Sequence, residues 1–284
     1  MAGILENVSS DISHEFAMAI AGADHEVDLF GGAMIIARIG GHPVDAHRAA
    51  QQLDLMAEST RERAGDATDA GALAHAIDHE LFTVRGFHGD GVEYGDADNS
   101  YLDRVIARKT GLPIALSLVY MEVAQRVGLR CDGIGFPGHF IVRCGDPENP
   151  IFVDPFQQGA RLDREELLAR LRSIEIGSAS PESYLAAVTR RQLLQRMLNN
   201  LHGLFRERRD MERWHMTVDL LLRIEPWNAA LTGERGMLSY RLGNPVAALD
   251  DLERYVDATG RPRVSAGALR LLEELRLQQG GREE

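Results

Sequence analysis

The residues best placed to do chemistry in this 284-residue chain are His139 and Asp154, in the stretch GHFIVRCGDPENPIFVDPF. Period-two alternation over 139–144 reads as a strand that His139 opens, with Ile141 and Arg143 on its face and Phe140, Val142 and Cys144 on the other. Gly145, Asp146, Pro147, Asn149 and Pro150 read as a hairpin connection, and 151–154 as the return strand that Asp154 closes. A tight hairpin sets the start of one strand opposite the end of the next, which makes His139 and Asp154 neighbours. A carboxylate beside an imidazole fixes its tautomer and orients it, as the base of a nucleophile, base and acid triad requires. The same pair also serves as a plain hydrogen bond that ties a hairpin.

The elements that must position this pair are readable around it. From 113 to 127 only Glu122 and Arg126 are charged, so this helix is expected inside a domain, with the two charges, spaced i,i+4, as its wet edge. Pro113 suits the first helical position and Gly128 the residue past the end. Residues 1–90 read as helices, with an apolar run over 30–39 stopped by Gly40 and Gly41 and amphipathic runs after Pro43 and over 70–82. His75 and His79 share a spacing that can hold a metal, but the HExxH arrangement is missing and Asp78 and Glu80 adjoin them. A solvated face and no metal are expected there. The Gly- and Asp-rich 85–99 reads as a surface loop without the ligand order of a calcium loop. Asp163 with Glu166, and Leu162 with Leu167, supply a capping box and a hydrophobic staple for a helix starting at Arg164. The small, polar GSAS at 177–180, followed by Pro181, marks a domain boundary, which gives 1–178 and 179–284.

The order helix, VGL, strand, GHF-V, turn, FVDPF resembles the transglutaminase-like core of the papain-type cysteine enzymes. In detail the chain resembles a bacterial variant in which a degenerate transglutaminase-like domain precedes tetratricopeptide repeats, matching NSYLDRVIARKTGLPIALSLVYMEVAQRVGL and GFPGHFIVR here. The resemblance implies an α+β fold: a papain/transglutaminase-like core with a central helix on a small antiparallel sheet, N-terminal helices, and a C-terminal all-α repeat region. It also implies that the nucleophile begins the central helix and that the family's His and Asp are His139 and Asp154. Counted back from VGL, the position of the usual Cys is Pro113, which has neither thiol nor hydroxyl. Ser117, one turn along the same face, lacks the partial positive charge of the helix start. Cys131 and Cys144 are expected to be inert small hydrophobes on strands. Asn99 and Tyr101 match the NSYL signature and, with Pro113, Ser117 and Gly138, are expected to border a cleft; Asn99 is also a good N-cap for the next helix, with Asp103 nearby. Beyond 181 the pattern is helical. Pro226 and Gly260 stand one tetratricopeptide period apart, Gly236, Ala248 and Leu252 fit small and apolar positions, and His202 and Trp214 replace small residues. Two units are few for a free solenoid, so 266–278 is expected to cap the array.

A hydrophobic fraction of 44% can bury a core, and a net charge of -12 makes nucleic acid and anionic membrane poor partners. No positive n-region and no apolar run of membrane-spanning length is visible, and two cysteines with no need to pair fit a reducing cytoplasm. Arg206, Arg208, Arg209 and Arg213 form a local basic cluster that an acidic peptide would suit, although charge runs on helices commonly just face water. The function expected is therefore a non-catalytic transglutaminase-like protein, a scaffold or regulatory module that binds protein or peptide through its repeats and uses no cofactor. The alternative is an amide hydrolase or acyl transferase in which His139 and Asp154 activate water or an atypical nucleophile.

Overall fold

The computed structural model describes residues 2–91, 95–174 and 180–280. Their contacts divide the chain into two compact units, Ala19–Met197 on one hand and Met1–Met18 with Leu198–Glu284 on the other. The boundary expected at 177–180 lies, apart from Ser180, outside the described residues.

After α1 (Ala2–Ala19), the unit Ala19–Met197 opens with α2 (Leu29–Ala37), α3 (Ala46–Ala64) and α4 (Ala70–Asp78). Asp28, Asp45 and Asp69 cap these three helices, each accepting a backbone N–H three residues on. That satisfies donors with no partner inside the helix. β1 (His88–Gly89) pairs in parallel with β2 (Thr110–Gly111), and α5 (Leu102–Arg108) lies between them in sequence.

α6 (Pro113–Arg126) is the centre of the unit, buried from Pro113 through Tyr120 and packed against α3, α4 and α5 and against β3 (Cys131–Ile134) and β4 (Ile141–Cys144). A helix apolar on nearly all faces has no stable place except inside. Its two charges do not form a wet edge. Arg126 donates to Glu122 at 2.6 Å and to Asp54 of α3 at 2.8 Å, so that Glu122 is buried under an ion pair joining two helices.

β3, β4, β5 (Ile151–Asp154) and β6 (Ala160–Leu162) form an antiparallel sheet in that order. Its register places Cys131 directly opposite Cys144, and the two form a disulfide. This overturns the expectation of unpaired cysteines, and with it the cysteine-based case for a reducing compartment. Strand alternation describes each residue's face, but only the register decides which residues meet across strands. α7 (Arg164–Arg172) starts where its cap signal places it, with Asp163 accepting from the Glu165 and Glu166 N–H groups. Leu167, Leu168 and Leu171 then pack with Ile134, Ile141, Phe152 and Leu185. Residues 181–197 thus belong to this unit: Ala187 bridges to Ile134, Val188 N–H donates to the Gly133 carbonyl at 2.9 Å, and α8 (Arg190–Arg208) buries Leu193 and Leu194.

In the other unit the chain turns near Arg209, Pro226, Gly243 and Gly260, giving α9 (Met211–Ile224), α10 (Ala229–Arg241), α11 (Pro245–Thr259) and α12 (Ala266–Gly280). A Cβ on Gly236 would lie 3.1 Å from Leu252 Cγ, which explains the small residue where α10 and α11 meet. His202 and Trp214, the large residues at small positions, both bond Glu234 Oε1, at 3.0 and 2.9 Å, and so become ties between helices. Arg235 spans from α10 to Asp219 of α9 at 2.5 Å and Asp251 of α11 at 2.8 Å. Burial alone would lower its pKa, but the two carboxylates outweigh that and hold it above the ordinary arginine value. No helix among the described residues is long and apolar enough to cross a membrane.

Candidate functional site

Asp154 ends β5 and caps the 3-10 turn Pro155–Gln157, its Oδ1 accepting the Phe156 and Gln157 N–H groups at 3.0 and 3.2 Å. Backbone geometry therefore fixes this carboxylate, and its Oδ2 faces His139 Nε2 at 2.8 Å. A carboxylate only accepts, so Nε2 donates this bond and Nδ1 is the ring nitrogen left for another partner. The imidazole side chain is 26% exposed and Asp154 only 6%, so the ring is reachable while its orienting group is not. Phe156 stands edge-on to the ring at 5.8 Å and limits its rotation.

His139 does not open the strand as alternation suggested. β4 begins at Ile141, and His139 closes a turn in which its N–H donates to the Phe136 carbonyl at 3.0 Å. Gly138 takes φ +69° with open space where a Cβ would be, a conformation that a residue with a side chain adopts at a cost. The pairing survives the shift because the hairpin still sets the end of β5 against the residues before β4.

Pro113 is the first residue of α6, with Leu112 as an N-cap that supplies no side-chain hydrogen bond. Ser117 is fully buried, and its hydroxyl donates to the Phe140 carbonyl at 3.4 Å, next to His139 in the chain. Asn99 caps no helix: α5 starts at Leu102 behind Tyr101. Buried Asn99 instead donates from Nδ2 to Asp90 at 3.0 Å, while its main-chain carbonyl accepts the Leu112 N–H at 2.9 Å. That bond anchors the residue just before Pro113, so Asn99 positions the start of the central helix. Tyr101 is buried with its ring 5.5 Å from that of His42, whose Nε2 in turn lies 2.8 Å from Asp103. This second His-Asp pair joins residues 61 apart in sequence and had no local signal. His79, of the candidate metal pair, meets Arg63 at 2.8 Å.

A buried helix packed against the strand after a histidine, with an aspartate at the end of the next strand, is the arrangement of a transglutaminase-like core, here in front of helical repeats. The chain belongs to the transglutaminase-like superfamily: residues 47–199 match it, and residues 201–274 match the tetratricopeptide repeat. A UPF0162 protein of Xylella fastidiosa strain Temecula1 is 33% identical over 237 residues, covering 82% of this chain and 84% of that protein. The UPF0162 protein of Pseudomonas aeruginosa is 28% identical over 229 residues, 80% of this chain and 83% of the relative. Mouse F-box only protein 21 is 29% identical over 179 residues, 59% of this chain but only 28% of its own length.

Proposed function

We propose that this chain is a non-catalytic transglutaminase-like protein that keeps a ligand cleft at His139 and binds another protein or peptide through its helical repeats. The observation that carries this is Pro113 at the first position of α6, where the resemblance puts the nucleophile. A pyrrolidine ring has no group to attack a carbonyl, and among the described residues neither Ser117 nor a cysteine takes its place. The Ser117 hydroxyl is committed to a carbonyl in a fully buried position, and the chain's two cysteines are bonded to each other. The repeats support the protein-binding half, since stacked helix pairs present extended surfaces to partners. Within the basic cluster, Arg213 pairs with Asp210 at 2.8 Å and stacks on Phe205, which leaves less of it for an acidic partner.

A second reading is favoured by one observation: the oriented, reachable imidazole with Nδ1 turned away from Asp154 could activate water against an amide. Hydrolysis of fluorogenic peptide amides and esters separates the two. Equal, background turnover by the native chain and by His139→Ala fits the binding reading, and turnover that disappears in His139→Ala defeats it. Capture of a partner that persists in His139→Ala and is lost on removing residues 201–274 tests the repeat half.

A further inference from the structure

Arg126, Arg143, Arg161 and Arg235 each hold a carboxylate at 2.8 Å or closer. Arg196 of α8 is different. Its Nη2 donates to two main-chain carbonyls, Phe136 and His139, both at 3.3 Å, and its guanidinium lies over the Phe140 ring at 5.6 Å. Nε and Nη1 make no hydrogen bond among the described residues. Nη1 packs over Gly135, where a Cβ would come within 2.8 Å of it, so the missing side chain is what lets the guanidinium lie against the turn. Partial burial lowers the Arg196 pKa, and among the described residues no carboxylate acts in the other direction.

A half-buried guanidinium whose unbonded nitrogens still reach solvent, with no carboxylate partner among the described residues, has donors left for an anion from outside. Ring stacking and two neutral carbonyls hold its plane in a fixed orientation, but they do not neutralise it. The turn it grips, 136–139, ends in the histidine of the candidate site and has open space at Gly138.

We propose that Arg196, held over the glycine-containing turn 135–138, is a subsite that binds the carboxylate of a peptide ligand lying against His139. A carboxylate fits better than a phosphate because one cation with part of its donors already used matches a single negative charge, whereas phosphate draws several donors and charges. The inference rests on the reading that the unit keeps a ligand cleft at His139, and it adds the residue that would anchor the occupant.

The full chain, labelled with nitrogen-15 at arginine and histidine, tests this by titration with N-acetylglycine, with N-acetylglycinamide as the uncharged control. The Arg196 Nε–H resonance, assigned by its loss in Arg196→Gln, and the His139 ring signals are expected to shift saturably with the acid and not with the amide. Arg196→Gln should weaken the His139 response at least about tenfold. An Arg196 resonance unmoved up to tens of millimolar acid, or a His139 response unchanged in Arg196→Gln, overturns the subsite. Inorganic phosphate binding more tightly than N-acetylglycine overturns the carboxylate assignment. Should Arg196→Gln fail to fold, Arg196→Lys serves for the assignment and the native titration decides. His139-dependent hydrolysis would defeat the non-catalytic reading and leave this titration standing, whereas a silent titration without hydrolysis removes the subsite alone.

Discussion

His139 is held by Asp154 as the base of a triad would be, and Pro113 stands where the resemblance puts the nucleophile. If the cleft is otherwise intact, Pro113→Cys should create a thiol at a helix N-terminus beside an imidazole, a setting that depresses a thiol pKa and speeds alkylation. We expect iodoacetamide to label that variant rapidly at neutral pH and slowly once His139→Ala is added, read by mass spectrometry with Cys131 and Cys144 as internal controls. A folded Pro113→Cys protein that labels no faster than a surface thiol would show that Pro113 does not face the imidazole. A different histidine carries the clearest pH effect. His215, bonded to Ser239 at 3.0 Å, is shifted down by burial, with Asp219 and Asp251 opposing and Arg235 reinforcing. The unfolded chain therefore takes up this proton near pH 6.5, and the folded chain only at lower pH. Stability from this group is present above pH ~6.5 and is lost as pH falls from there towards the folded value. In thermal melts, His215→Gln should flatten the acid-side fall of the midpoint relative to the native chain, and parallel curves would refute the assignment.

Among the elements, α6 does the most positioning. Its first turn is held by Asn99 through Leu112, its second meets the strand after His139 through Ser117, and its end is tied to α3 by Arg126. Leu116 is 2% exposed on this helix. Truncating a fully enclosed leucine removes its transfer energy and leaves a cavity, so Leu116→Ala should cost about 2–5 kcal/mol in urea unfolding. A loss well under about 1 kcal/mol would mean that the helix is not the centre of the unit.

For the whole molecule, a useful cut differs from the composition break at 177–180. A fragment of residues 19–178 lacks Leu185, the Ala187 and Val188 pairing to β3, and the buried Leu193 and Leu194. It leaves a strand edge and an apolar face uncovered, which invites aggregation. Compared by thermal melting, fragment 19–178 should unfold about 10 °C or more below fragment 19–197. Equal midpoints would show that 180–197 adds nothing to this unit.

What could be read from the sequence was local. The span of α6, the cap at Asp163 and the turns of the repeat region depend on residues within a few positions of each other, where period and capping chemistry act directly. The His139–Asp154 contact was legible for the same reason, since a single hairpin carries it. What the tertiary structure decided was every contact that needs a register or a packing partner. Cys131 meets Cys144 because the sheet register sets them opposite, and a shift of one residue would separate them. Glu122 is buried because Arg126 reaches across to α3. Asn99 holds the start of α6 instead of capping α5, His42 finds Asp103, and Arg196 grips the turn at His139 from 57 residues away. Periodicity carries no information about such pairs, because which distant surfaces meet is settled only when the whole core closes around α6.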